Sequence, residues 1–526
     1  MTNPVETWKP AFNPWLIAIA VAMAAFMEVL DTSIANVALP HLAGDLGSSN
    51  DESTWVLTSY LVSNAVVLPI SGWLATAFGR KRFFLLCIFM FTATSLLCGI
   101  APSLPILILF RVIQGAGGGG LQPMAQAILA DTFPPEKRGL AFALYGITAV
   151  MAPTIGPTLG GWLTDNYSWR WIFYINLPVG LLTFFLVFRM VEDPPYLRAR
   201  RDAGIRVDYI GIALLTLAVG ALQILLDKGQ EEDWFGSHFI VTLAVISAAC
   251  FISLIAWEWR HKTPIVDVRM FKSFNFSVAS LMMFSLGVLL FSSLVLMPQF
   301  LQTLLGYTAE SAGLVLSGAS VIILFEMPIV GQLTTKVPAK YIMAFGWLCL
   351  AFGMYYSTTQ LDLLISFGAA SRLRIAQAFG LGFLFVPITL AAYNGIPPEK
   401  GNSVSGLVNF MRNIGSSVGT SLVTTLLARR AQFHQSALSY HATNADPAFR
   451  DQLNGLAGQL VHAGASVPDA QVRAGARAYQ ALQIQSQTLA YIDTFMVLAV
   501  AASIMFVLAF FIRRNAVGAG GHVVVE

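Results

Sequence analysis

Apolar residues in this chain gather in runs of about 20, the length a helix needs to cross a bilayer, separated by short stretches carrying glycine, proline and charge. The runs fall at 14–38, 54–76, 82–101, 104–130, 139–163, 171–189, 207–226, 238–257, 274–301, 311–333, 340–358, 370–393, 402–428 and 488–512. Fourteen transmembrane helices are therefore predicted, and an even number places both termini on one side. The first run continues well past the length of a signal-peptide core, so it is expected to remain as a span.

Lysine and arginine choose the side. Connections after even-numbered spans carry Arg80, Lys81 and Arg82, then Lys137 and Arg138, then Arg189, Arg198, Arg200, Arg201 and Arg206. Further along come Arg260, Lys262, Arg269, Lys272, Lys336, Lys340, Lys400, Arg513 and Arg514, whereas the short connections after odd-numbered spans offer Lys228 and little else. Positive residues stay in the cytoplasm, so both termini are expected there. Residues 429–487 form the one sizeable soluble segment, placed outside and rich in alanine, glutamine and glycine; they read as a loose helical hairpin.

Composition agrees. Apolar residues make up 56% and charged residues 11% of the 526 residues, with a mean hydropathy of +0.67. Soluble domains carry about 25% charge, so the chain is an integral membrane protein. Its four cysteines, Cys87, Cys98, Cys250 and Cys349, all lie in apolar runs, which suits buried thiols. No phosphate-binding GxxxxGK[ST] loop occurs, and no metal or organic cofactor is expected.

The chain also repeats itself. Pro-Pro-Glu-Lys stands at 134–137 and again at 397–400, and the same offset of 263 aligns Arg111 with Arg374, Gln114 with Gln377 and Gly156 with Gly419. An offset of 259 aligns the tract from Gly72 with that from Gly331. Even-numbered spans match even-numbered spans, so the halves are parallel repeats with a substrate site expected between them. The simplest parse is a six-helix bundle over 1–190, a linker with two additional helices over 191–270, and a second six-helix bundle over 271–526 that carries the 429–487 loop.

Two acids inside the first span carry the candidate chemistry. Glu28 and Asp31, spaced i, i+3, share a helix face. A buried ionised carboxylate costs several kcal/mol unless it has a partner. Two neighbouring acids repel when both are ionised, which favours one of them holding a proton. Arg111, in the fourth span, cannot shed its charge usefully and needs a carboxylate or several carbonyls. Asp31 is the best candidate for the coupling proton site, with Glu28 an auxiliary that shares the proton or attracts cationic drugs, and a purely structural role is the other reading of Arg111. The ninth span offers Arg374 no matching acid, so proton chemistry is expected in the first half. Glu326 in the tenth span is a further proton- or drug-attracting candidate, and Asp493 lies near enough to the surface for solvation to explain it. Asn36, Tyr60, Gln122, Tyr145, Met151, Asn394, Asn409, Phe410 and Met411 form a polar, aromatic and soft set suited as a group to promiscuous binding, although each alone is better read as packing.

Four tracts resemble the major facilitator superfamily, specifically its fourteen-helix drug:proton antiporter branch. Gly72 to Arg82, with Gly79 and Arg80, resembles the loop motif between the second and third helices, Thr76 standing where an aspartate is common. Arg111-Val112-Ile113-Gln114-Gly115 is similar to the buried-arginine motif of helix 4. Gly156-Pro157-Thr158-Leu159-Gly160-Gly161 resembles the exporters' helix 5 motif, read as a hinge or seal between the halves with tight packing as the alternative, and Leu30 to Pro40 resembles the helix 1 motif of drug exporters. In the fold this implies, helices 1 and 4 of one half line the same cavity, which makes Asp31 the expected partner of Arg111. The resemblance implies an all-α integral membrane protein of the major facilitator fold, exporting lipophilic or amphipathic toxic compounds against protons across the bacterial inner membrane. Such pumps are implied to work with a periplasmic adaptor of the EmrA type and an outer-membrane channel of the TolC type, with no role for nucleic acid. A dedicated exporter of one metabolite, such as a siderophore or fatty acid, and a non-transporting membrane sensor remain the alternatives.

Overall fold

A computed structural model of the chain describes residues 10–195, 207–443 and 445–512; the basic residues Arg198, Arg200, Arg201, Arg206, Arg513 and Arg514 used in the orientation argument lie outside them. Regular structure among the described residues is helical throughout. The first half comprises α1 (Pro14–Leu46), α2 (Asp51–Phe78), α3 (Arg80–Gly99), α4 (Leu104–Thr132), α5 (Pro135–Asn166) and α6 (Trp171–Met190). The inserted pair is α7 (Tyr209–Lys228) and α8 (His238–Arg260). The second half comprises α9 (Phe274–Thr303), α10 (Ala309–Leu333), α11 (Ala339–Gln360), α12 (Phe367–Tyr393), α13 (Gly401–His441), the outer helix α14 (Pro447–His462) and α15 (Val467–Ala509).

Twelve of these helices are long and apolar enough to cross a membrane. The expected spans 340–358 and 402–428 are the two that fall short, although both lie in helices, α11 and α13. Aromatic side chains such as Tyr341, Phe345 and Tyr355 occupy the exposed face of α11. Into its apolar run α13 brings Asn402, Asn409, Arg412 and Asn413, which it can carry because it packs on α9, α2, α15 and α4, protein rather than lipid.

The repeat is visible in the packing. The first half sets α1 on α5, α2 on α4, and α3 on α4 and α6; the second sets α9 on α13, α10 on α12, and α11 on α12 and α15. The halves meet through α2 with α13 and α5 with α10, again a matched pair. The inserted α7 lies along the α2–α13 seam: Gln223 donates to Ser417 of α13 at 2.7 Å, and Thr58 of α2 donates to Asp227.

At the base of the bundle, where α1 begins, the halves interlock backbone to backbone. A Cβ on Gly72 would stand 2.8 Å from the Ser403 backbone, and one on Gly331 would stand 2.8 Å from the Gly139 carbonyl oxygen. Tyr145 stacks on Phe385 with centroids 5.7 Å apart, and Phe142 lies 5.8 Å from Tyr393. This end is closed. At the opposite rim, α13 and α15 run far beyond membrane length, at 41 and 43 residues, so the expected ends of those spans at 428 and 488 fall inside continuous helices. Together with α14 they build a helical rim domain with its own small core of Leu460, Ala470 and Ala474. Asp493 pairs there with Arg430 at 2.6 Å and His434 at 2.7 Å.

Candidate functional site

The two acids of α1 enter separate networks. Asp31 is buried and accepts from Arg111 Nη1 at 2.6 Å, Asn176 Nδ2 at 2.7 Å and Gln114 Nε2 at 3.2 Å. Arg111 also donates to Gln114 Oε1 at 2.8 Å and the Val56 carbonyl at 3.1 Å, and its guanidinium lies 4.3 Å from the Tyr60 ring centroid. Both side chains are essentially without solvent exposure. Arg111 Nη2 has no partner, yet a buried pair held by this many bonds is a fixed element, strongly destabilised by removal of one partner.

Glu28, one turn earlier, has neutral partners instead. Its carboxylate accepts from Asn64 Nδ2 at 3.0 Å, Tyr60 Oη at 3.3 Å and Gln122 Nε2. Gln122 Oε1 in turn accepts from Tyr145 Oη at 3.1 Å and from Arg412 of α13. One amide therefore relays an acid of the first half to a cation of the second. Just below it, Asn409 of α13 donates to Gln126 of α4 at 2.8 Å. This cluster sits where the closed base begins, the midplane position at which repeat-built transporters place their substrate.

The loop motif is a structural lock. Gly79 has φ +90°, a conformation that costs glycine little, and the turn lets α3 start at once with Arg80. That side chain is buried and pairs with Asp131 at the end of α4 at 2.6 Å. Thr76, in the place of the common aspartate, caps the Gly72 carbonyl at 2.9 Å, and Asp131 supplies the acid.

In α5, Pro157 lacks the N–H that would bond the carbonyl of Pro153. Ser33 of α1 donates to that carbonyl at 3.1 Å. Gly156 and Gly160 bring α5 close to Ser33 and Ile34 of α1, and Thr158 reaches the other half, at Gly313. The glycine-proline run thus seals α1 to α5 within the first half.

Of the other residues expected at the site, Tyr60, Gln122, Tyr145 and Asn409 are gathered in the central cluster. Met151, Phe410 and Met411 are half-buried and Asn36 is exposed. Asn394 caps the base end of α12, away from the centre. Glu326 lies buried between α10 and α12 against Gly382, and neither of its oxygens has a hydrogen-bond partner. Sequence reasoning missed Asn64, Asn176 and Arg412. For Arg412 a signal existed: a guanidinium in the middle of the predicted span 402–428.

The profile described as the Major Facilitator Superfamily matches residues 21–420. The multidrug export protein EmrB of Haemophilus influenzae is 40% identical over 442 residues, 84% of this chain and 86% of that protein. The fatty acid resistance protein FarB of Neisseria gonorrhoeae is 38% identical over 441 residues, 83% of this chain and 85% of that protein. Among solved structures, the proton:xylose symporter XylE bound to 6-bromo-6-deoxy-D-glucose aligns over 95% of this chain and 96% of its own, with a TM-score of 0.59 at 13% identity, a likeness of fold alone.

Proposed function

The chain belongs to the major facilitator superfamily, and from that membership we propose that it is a proton-driven multidrug exporter of the bacterial inner membrane, with both termini cytoplasmic. Its relatives are carriers rather than enzymes, and it is a multi-pass membrane protein. The observation that carries the coupled mechanism is the Glu28–Gln122–Arg412 relay, which joins a carboxylate of one half to a cation of the other beside the closed base.

In the closed-base state the ionised carboxylate of Glu28 is held by three neutral donors and draws Arg412 toward α4 through Gln122. A proton arriving from the rim cancels that charge, releases Arg412, and lets α13 part from α4 and α2. Asp31 with Arg111 fixes the local frame of α1 and α4, so that proton binding at Glu28 moves helices rather than one side chain. Glu326 is the second-half carboxylate we assign to proton binding, since its oxygens lack competing donors. One charge moved through the membrane potential supplies about 2.3 kcal/mol per 100 mV, enough to drive a drug gradient with no further cofactor. Tyr60, Tyr145, Phe410, Met151 and Met411 offer the adaptable apolar surface that varied amphipathic compounds need. The name of the FarB relative supports amphipathic acids within that range. Purified protein in proteoliposomes is expected to release protons when a transported amphipath is added; silence towards every such compound tested would favour a non-transporting sensor.

We assign the rim domain of α13, α14 and α15 to docking a periplasmic adaptor of the EmrA type, itself joined to an outer-membrane channel of the TolC type. Its projection beyond membrane length and exposed Tyr440 and Val472 support this. Deleting residues 440–480 should abolish adaptor co-purification while leaving the bundle intact; unchanged recovery of the adaptor would refute the docking role.

A further inference from the structure

Each half buries one arginine at matching positions, but only the first answers it with an acid. Arg374 is 1% exposed. Its Nη1 donates to Ser293 Oγ at 3.0 Å and to Gln377 Oε1 at 3.3 Å, both neutral, while its Nε has no partner. Among the described residues no carboxylate pairs with it.

The repeat explains why. Arg374 Nη1 donates to Ser293 of α9 just as its mate Arg111 Nη1 donates to Asp31 of α1, so Ser293 stands in the place of Asp31. The register of α2 with α10, set by Gly72 and Gly331, puts Ala319 in the place of Tyr60. The second half has thus lost both the carboxylate and the ring that lies over Arg111. What is left is a guanidinium short of one counter-charge, beside a wall short of one aromatic ring. Glu326 does not fill the gap. It lies against Gly382, eight residues farther along α12, or roughly 12 Å at 1.5 Å per residue.

A buried charge without a partner is costly, and guanidinium geometry matches carboxylate well. We propose that Arg374 is the seat of an exchangeable monovalent anion, either a halide or the carboxylate of an amphipathic substrate, which supplies beside Ser293 the counter-charge that Asp31 supplies in the first half. The reading rests on the repeat and on the geometry of Arg374, so it stands or falls separately from the exporter reading.

The test is thermal unfolding of the purified full chain in detergent. Gluconate buffer is exchanged for chloride in one series, and octanoate or octanamide is titrated in another. Chloride or octanoate should raise the unfolding midpoint in a saturable way, and octanamide should not. A response to chloride identifies the halide, and a response to octanoate in gluconate buffer identifies the substrate carboxylate. The effect should vanish in Arg374→Gln. It should vanish too in Ser293→Asp, which supplies an internal carboxylate and should raise the midpoint in gluconate; this second variant keeps the test valid if the first does not fold. Absence of any anion effect in the unmodified chain, or an equal effect in Ser293→Asp, would overturn the proposal.

Discussion

Replacing Glu28 by glutamine is expected to abolish substrate-evoked proton release in a protein that still assembles. The hydrogen-bond partners of Glu28 are Asn64, Tyr60 and Gln122, all neutral, so the change breaks no direct ion pair, and the one cation it affects is Arg412, held through Gln122. The new amide would present a donor where Gln122 now donates. To avoid that conflict Gln122 must turn its oxygen toward α1, and Arg412 then loses its acceptor. Replacing Asp31 by asparagine is expected to behave differently. It leaves Arg111 uncompensated in the interior, and breaking a buried pair costs about 3–5 kcal/mol, so both export and the yield of monodisperse protein should fall. Asp31→Asn combined with Arg111→Gln should restore the yield without restoring export. Proton release followed with a pH dye, together with size-exclusion recovery, separates the two acids. Full proton release from Glu28→Gln would remove that residue from the coupling step, and undiminished stability in Asp31→Asn would remove the Asp31–Arg111 pair from the frame.

Much of this arrangement is legible in the chain itself, for identifiable reasons. Apolar runs are long and punctuated, so the helices are readable, and a buried arginine demands an acid, so the pairing of Arg111 with Asp31 is readable once the family resemblance sets helices 1 and 4 of one half against the same cavity. The relay is harder to see. Gln122 and Arg412 are 290 residues apart, and neither side chain announces a partner in the other half. Asn176 and Asn64 are similarly hidden, because a neutral amide within an apolar run can satisfy any neighbouring helix. The rim is legible as a helical hairpin, but its continuity with the spans is not, for a different cause. Hydropathy marks where a helix leaves the membrane, whereas the backbone of α13 and α15 continues helical through the alanine- and glutamine-rich stretches beyond, residues that favour helix in water as well. The tract from Gly156 to Gly160 shows a third limit: its glycines predict close approach, but only the fold shows that the approach is to α1 of the same half.

The closed base rests on glycine contacts, and Gly72→Leu is expected to break it. A Cβ at Gly72 would lie 2.8 Å from the nitrogen and Cα of Ser403 and 2.9 Å from the Asn402 carbonyl carbon. These are backbone atoms, unable to yield as the tip of a flexible side chain can, so leucine must wedge α2 away from α13. Neighbouring contacts would open with it, since Gly406 of α13 faces Leu68 and Ser71 of α2 from the other side. Export should fall to background, because a base that cannot close leaves no state in which cargo is committed to the rim. The helices themselves should persist, their lipid-facing surfaces being untouched. A cysteine introduced at Ser405, which is fully buried, would report the change in a background free of native cysteines. It should resist a membrane-impermeant maleimide applied from the base side in the parent protein and react in Gly72→Leu. Normal export by Gly72→Leu would mean that the α2–α13 contact is incidental to the cycle. Lost export with an unreactive Ser405→Cys would place the role of Gly72 in the neighbouring turn at Gly79, where the motif positions Arg80 on Asp131, and the gate would then have to be sought at the α5–α10 crossing of Gly139 and Gly331.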